Sequence, residues 1–363
     1  MTKTGPQKYS YQGYRCSNEH RFASEHSSSP FTNSFIEYAV ILYLRSLSFN
    51  STVSILNIYF EEEVITKKSL MELFERVSDI LPTLREIDFL FYPKRSGYLA
   101  FDGVYFKLNG KPFVVLVCFD PETLDIVCYQ RAEKESEGAY LPLAQEAKEL
   151  LEKQGMAPTG IYSDGDRGLV TVLKRVFPNT PYQLCIVHKY LKMGDLVPFK
   201  SIHRKSVPPL KKRKTIKFKQ MFEDVIFAKT KEDSLDNFKY LEQFVKRNSI
   251  ESFYRGYRSL RINFSLTLTH YDHPHMQRDN NIIEGFNSLI SRRLDLLKGF
   301  KKEDNIEKYL KLVLLDYRFH KLTESGFAYR RDKSPLELAR ASIPKHYNFI
   351  KMLRQSLSLT FEL

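Results

Sequence analysis

Tryptophan is absent from this sequence, cysteine is scarce, and no stretch is apolar enough to cross a bilayer. The four cysteines, at positions 16, 118, 128 and 185, form no disulfide framework. The expectation is reduced thiols in an intracellular protein. The best candidate for a span, FIEYAVILYL from Phe35 to Leu44, is short and carries a Glu, whereas a spanning helix needs about 20 apolar residues. The opening MTKTGPQKYS is polar and does not read as a secretory signal. Acidic residues are also in deficit, 43 Asp and Glu against 56 Lys and Arg, for a net charge of +13. With a pI of about 9.3 the chain favours a polyanionic partner, and the lack of a span sets a membrane behind a nucleic acid. Any base flipped against this chain would have to stack on Tyr, Phe or Arg, for want of Trp.

What is present describes a folded chain. Its 363 residues, 42% hydrophobic and 27% charged, allow two or three domains and a large core. The segment from Tyr98 to His188 organises the rest. It opens YLAFDGVYFKLNGKPFVVLVCF and closes GIYSDGDRGLVTVLKRVFPNTPYQLCIVHKY. Two apolar strand-like runs each deliver an aspartate, Asp102 inside the first and Asp164 at the end of the later one. A carboxylate among β-branched and aromatic residues is costly to bury unless a cation compensates it. Two of them on one sheet suggest a divalent metal site; the alternative for Asp164, in SDGD, is a surface Asp beside a turn.

Residues 1–33 are polar, and within them Cys16 and His20 look like half of a zinc ribbon without its first ligand pair. A flexible arm with a degenerate knuckle is expected. Residues 34–82 carry three short helical patterns, which suits a helix-turn-helix with Thr66, Lys67, Lys68 and Ser69 near the start of the third helix, placed for base and phosphate contacts. Pro82 and LREIDFL read as a link.

Leu99 to Lys107, Pro112 to Phe119 and Asp125 to Arg131 read as a meander, with turns at Asn109-Gly110 and Asp120 to Thr123. Helix, strand, helix and strand follow, to Val187. Three hairpin strands and then this alternation is the order of an RNase H-like α/β sheet, which sets the first and fourth strands side by side. Neighbouring strands lie ~4.8 Å apart, so Asp102 and Asp164 suit a two-metal site with ions ~3.5–4 Å apart. A further carboxylate is available in DNNIIEGFN, where Ile283, Phe286, Ile290 and Leu294 make an apolar seam and Glu284 stands at its edge. A Glu in a helix's first turns is otherwise a partner of the helix dipole.

FDGVYFK, YSDGDRGL, CIVH and NNIIEGFN, in that order, resemble the Mutator-like DDE transposases and their insertion-sequence relatives in bacteria and archaea, over roughly residues 95–330. The resemblance implies an RNase H-like core, split as 95–191 and 279–330 around a helical insertion at 192–278. It implies a triad of Asp102, Asp164 and Glu284 holding two Mg²⁺ ions, with Mn²⁺ as a substitute. The family's Cys-x-x-His motif falls on Cys185 and His188. Asp166 stands two residues past the second Asp, where relatives more often carry a neutral or basic residue, and competes with Asp164 for the ligand role. Implied partners are double-stranded DNA at transposon ends and target, and further copies of the chain on DNA, in the cytoplasm or nucleoid of a prokaryote.

Around this core lie basic residues. The insertion has a basic loop from Lys200 to Lys219 with no acid in it, including Lys211, Lys212, Arg213 and Lys214. Phosphate contact is the functional reading and a solvated loop the alternative. Arg292 and Arg293, with Lys298, Lys301 and Lys302, flank Glu284, while His270, His273 and His275 are weaker metal candidates, alone or with Cys185 and His188. A helical basic tail closes the chain at 331–363. The expected activity is cleavage and strand transfer at transposon ends, against two rivals: a nuclease or resolvase on the same fold, and a transposase-derived DNA-binding regulator with a silent core.

Overall fold

The structure is a computed structural model that describes residues 2–7, 11–15, 21–23, 31–45, 47–108, 111–199, 207–295 and 304–361. In the segment expected to be a flexible arm, strands β1 (Thr2–Gln7), β2 (Tyr11–Arg15) and β3 (Arg21–Ala23) form an antiparallel meander, with Tyr14 opposite Phe22. Thr, Tyr and Phe at these positions favour the pleated backbone. Cys16 and His20 lie outside the described residues.

Helices α1 (Asn33–Leu44), α2 (Phe49–Tyr59) and α3 (Lys67–Ile80) begin where a hydroxyl side chain accepts a free first-turn N–H: Thr32, Ser48 and Thr66 respectively. LREIDFL is a helix, not a link. Thr83 and Glu86 close a capping box at the start of α4 (Leu84–Phe91), a signature present in the sequence as T-x-x-E.

The sheet is built from β4 (Tyr98–Leu108), β5 (Lys111–Asp120), β6 (Asp125–Ala132), β7 (Gly160–Ser163) and β8 (Tyr182–Leu184). Its order is β6-β5-β4-β7-β8, with β4 antiparallel to β5 and parallel to β7. This is the RNase H-like arrangement expected, with the first and fourth strands of the domain adjacent. The turn at Asn109-Gly110 lies outside the described residues. Helices α5 (Glu137–Lys153), α6 (Arg167–Val176) and α7 (Ile186–Leu196) complete the alternation. An insertion of α8 (Pro209–Ile226), α9 (Lys231–Asn248), α10 (Glu251–Arg261) and the one-turn α11 (Thr269–Asp272) follows, with its own apolar cluster around Phe218, Phe222, Leu241 and Phe253. The chain returns through α12 (Asn281–Asp295) and α13 (Asp304–Phe319) and ends in α14 (Pro335–Leu338) and α15 (Phe349–Phe361).

Strand alternation divides the sheet between two cores. Leu99, Phe101, Val114 and Leu116 face α5 and α6, while Ala100, Val104, Val115 and Val117 join the larger core. That larger core also takes in α1–α4, α12, α13 and α15. Helices α1–α3, expected as a helix-turn-helix, therefore have no core of their own. Tyr43 of α1, Phe49 of α2, Phe74 of α3 and Tyr309 of α13 form one aromatic cluster, with Tyr43–Phe49 centroids 4.8 Å apart and Phe49–Tyr309 centroids 5.3 Å apart. The tail docks too, through Arg354 to Glu37 at 2.8 Å.

Beneath the sheet edge lies an ion cluster in which Arg95, Arg318 and Asp125 are wholly buried and Asp88 is 12% exposed. Arg318 of α13 donates to Asp125 of β6 at 2.7 and 2.8 Å and to Asp88 of α4 at 2.5 Å; Arg95 donates to the same two carboxylates. Burial alone would lower Arg95, but Asp125 and Asp88 outweigh it and hold its pKa above the usual guanidinium value. Removing Asp125 leaves two buried cations to share Asp88 alone. Asp125→Ala is expected to cost about 3–5 kcal/mol in urea unfolding. Asp79→Ala, which breaks the exposed pair with Lys308 at 2.6 Å, should cost under about 1 kcal/mol. Equal losses in the two variants would deny the cluster its structural role.

Candidate active site

The register of β4 and β7 ends at Phe101 opposite Ser163. Asp102 is the next residue of β4 and Asp164 directly follows the last residue of β7, so the sheet brings together the two aspartates expected to converge. Asp102 falls on the same face as Ala100 and Val104, the face α12 covers. Asp164 sits where β7 ends and the chain turns away, at the carboxyl end of a parallel strand, where open α/β sheets place their ligands.

Each carboxylate is held. Asp102 Oδ1 accepts the N–H of Gly103 at 2.9 Å, and Oδ2 accepts from Asn287 Nδ2 at 2.8 Å. Asp164 Oδ1 accepts the N–H of Asp166 at 3.0 Å, while Asp166 caps α6 by accepting from Leu169 N–H at 3.0 Å. Asp166 is thus committed to starting a helix, which explains an acid at that position. A Cβ at Gly103 would meet Glu135 Oε1 at 2.0 Å and Val114 Cγ2 at 2.9 Å, so a larger residue there would have to displace both side chains.

Glu284 sits in the first turn of α12, one turn before Asn287, so the helix that clamps Asp102 also delivers Glu284 to the same region. Across from it, β8 ends and Cys185 opens α7, its N–H donating to Ser163 O at 2.9 Å. His188, one turn on, has Nδ1 3.8 Å from Glu284 Oε1. Asn280 N–H donates to Cys185 Sγ at 3.4 Å.

The electrostatics follow from this packing. Burial pushes Asp102 up to about 7, helped by the Asp164 charge and opposed by Gly103 N–H and His188. Burial also raises Asp164. His188 is raised to about 9, first by the Cys185 thiol beside its ring and then by Asp102 and Asp164. Burial lowers Lys189 to about 8; its Nζ donates to Ser259 O at 3.1 Å and Ile262 O at 2.9 Å, tying α7 to the end of α10. Three buried polar atoms here have no hydrogen-bond partner: His188 Nδ1, Asn280 Nδ2 and Asn287 Oδ1. Asn287, Lys189 and Glu135 escape the sequence reading. An Asn inside a helix, where it is disfavoured, three residues after Glu284, is the signal that would have found the first.

The remaining sequence candidates fall elsewhere. Thr66 and Ser69 are bound to each other at 3.0 Å as the α3 cap, with Lys68 exposed beside Glu72. Lys211, Lys212, Arg213 and Lys214 are not in a loop but in the first turns of α8, entered through Pro208 and Pro209, a start that proline favours. Residues 200–206 and Lys298, Lys301 and Lys302 lie outside the described residues. Arg292 is exposed, but Arg293 donates to Tyr43 O at 3.0 Å and to Leu44 O, closing the end of α1. His270 is occupied with Gln183, and His273 and His275 are exposed; none joins Cys185 and His188. The cavity of about 1050 Å³ lined by Arg85, Phe89, Tyr92 and Tyr329 includes none of the three carboxylates.

The sheet order and the carboxylates at its centre define an RNase H-like protein. The chain matches the model of the Mutator family of transposases over residues 94–321, and it belongs to that family. Among solved structures it is similar to the HTLV-2 integrase catalytic core domain in complex with magnesium, in its dimeric form, at 12% identity and a TM-score of 0.20, covering 34% of this chain and 83% of that one. It is also similar to the simian T-cell lymphotropic virus intasome in complex with a PP2A regulatory subunit, at 9% identity and a TM-score of 0.21, covering 53% and 69%. No curated protein matches it.

The raised Asp102 pKa has a sign that can be measured. Without metal, a carboxyl that titrates at about 7 instead of 3.8 stabilises the fold while protonated, and that contribution is lost as pH climbs between those values. Asp102→Asn stays neutral throughout. In chelator, its stability relative to wild type should rise from near zero at pH 4 to about 4 kcal/mol at pH 8. A difference that does not change with pH would mean the carboxyl is not held up.

Proposed function

We propose that the protein is a DDE transposase in which Asp102, Asp164 and Glu284 hold two divalent cations, Mg²⁺ with Mn²⁺ as a substitute, for cleavage and strand transfer at transposon ends. The observation that carries this reading is the β4–β7 register, which sets Asp102 beside Asp164 while Asn287 docks the Glu284 helix on Asp102. By residue type the triad suits the cations, while among the described residues only Cys185, His188 and Glu284 already have three ligand atoms within 4.8 Å of one another. Three carboxylates form an all-oxygen set suited to a hard divalent ion, two of them are pushed up by burial in its absence, and Asn287 Oδ1 is a buried acceptor without a partner. Bound cations would supply the Lewis acidity that phosphodiester exchange requires.

The chain's own groups do the rest. Gly103 N–H and Asn287 fix the orientation of Asp102, and the Asp166 N–H fixes that of Asp164. His188, protonated at neutral pH, offers a positive donor to a phosphate oxygen beside the carboxylates. Lys211, Lys212, Arg213 and Lys214 on α8, with Arg292 on α12, line up phosphate contacts along duplex DNA. Thr66, Lys67, Lys68 and Ser69 at the start of α3 contact the transposon end, and two or more copies assemble on DNA.

Asp102→Ala, Asp164→Ala and Glu284→Ala should each reduce Mg²⁺-dependent strand transfer of a labelled end by at least about 10³-fold, with DNA binding kept. Asp166→Ala should lose about 1 kcal/mol of stability with its cap and still join ends. An active Asp102→Ala sinks the triad, and a dead Asp166→Ala beside an active Asp164→Ala moves the ligand by two residues. For end recognition, Lys67→Ala with Lys68→Ala should weaken binding and flatten the slope of log affinity against log salt by about 1.8, from about 0.9 per phosphate contact. An unchanged slope removes α3 from the DNA interface.

A further inference from the structure

We propose that Cys185, His188 and Glu284 form a second metal site, for a thiophilic divalent cation of the zinc class, which shares Glu284 with the carboxylate triad. The Cys-x-x-His spacing places Cys185 and His188 on one side of the first turn of α7, and the first turn of α12 packs against them. One ligand atom from each of the three residues lies within 4.8 Å of the other two. A tetrahedral centre with bonds of ~2.0–2.3 Å sets its ligand atoms ~3.3–3.8 Å apart. Closing the site therefore asks for side-chain movement of about an ångström.

Two further observations point to a ligand. His188 Nδ1 is buried with no hydrogen-bond partner, 3.8 Å from the carboxylate that would bind beside it. Cys185 Sγ, 2% exposed as a residue, receives the Asn280 N–H at 3.4 Å, an outer contact that steadies a thiolate. A sulfur, nitrogen and oxygen set selects zinc over magnesium, which keeps to oxygen. Three protein ligands leave a fourth position for water. His270, His273 and His275, the other histidines of the insertion's end, take no part in it.

The consequence for activity rests on the DDE reading. Zinc bound at Glu284 competes with the triad for that carboxylate and holds the transposase off until the zinc leaves. The site and this competition are tested separately. The full chain carrying Cys16→Ser, which removes the thiol of the N-terminal segment, is stripped of metal and titrated with Co²⁺. Expected is one equivalent with thiolate-to-cobalt charge-transfer absorption, displaced by Zn²⁺, retained in Asp102→Asn and lost in Cys185→Ser. Absence of the absorption, or its survival in Cys185→Ser, overturns the site. Mn²⁺ binding, followed by electron paramagnetic resonance, reads the shared ligand. Saturating Zn²⁺ should weaken Mn²⁺ at least tenfold in the parent and leave Cys185→Ser unaffected; an unaffected parent overturns the competition. A chain that gives the cobalt absorption but neither binds Mn²⁺ nor joins DNA ends with Mg²⁺ keeps the zinc site and loses the DDE assignment.

Discussion

The arrangement depends on two guanidinium groups and a carboxylate with no access to water, joined to a second carboxylate, Asp88, at the rim. Arg318, Arg95, Asp125 and Asp88 are each drawn from a different element or loop, so satisfying all four sets α13, α4, β6 and the entry to β4 at once. Asp120 extends the network by accepting from Ser96 N–H at 2.6 Å and Ser96 Oγ at 2.7 Å. A cluster like this is poor evidence of net stability, because desolvating four charges costs about as much as their attraction returns. It does select geometry: a sheet and helix layer packed in another register would leave an unpaired charge in the core. With α13 fixed on β6, its neighbours α3 and α12 are fixed too, and α12 carries Glu284.

The active site is arranged on the opposite principle. Asp102 and Asp164 are largely removed from water, the Asp164 charge helps to raise Asp102, and the cations beside them, His188 for both and Lys189 for Asp164, lower them less than burial raises them. Lys189 comes near Asp164 but is bonded to carbonyls of the insertion. Charge is balanced where the fold needs rigidity and left unbalanced where chemistry takes place, a common division between stability and function.

Much of this was legible in the sequence because it is local. Apolar runs bounded by turn residues gave β4–β6, and the two aspartates stood out as charges inside or at the end of apolar strands. The adjacency of β4 and β7 followed from element order. What was hidden depends on tertiary partners. Arg318 reads as an ordinary basic residue at a helix end, yet it is wholly buried, and only the positions of Asp125 and Asp88 explain it. Arg293 reads as a phosphate contact and is instead bound to the carbonyls that end α1. The basic stretch at 211–214 reads as a loop because its charges mask Thr215, Phe218 and Phe222, the spacing by which α8 buries one side. Cys185 and His188 were paired on paper with distant histidines, whereas the residue facing them arrives on α12.

The aromatic seam joining α1, α2 and α3 to α13 bears on how such a protein can be taken apart. End-binding regions are commonly mapped by trimming a chain from its amino terminus until recognition fails. Here each cut through α1–α3 would strip Tyr43, Phe49 or Phe74 from Tyr309 and lay bare the side of α13 beneath. A shortened chain would then lose catalysis and DNA binding together, through collapse of a common interior and not through loss of a recognition element. Deletion would report one indivisible unit, and only single surface changes can separate its parts.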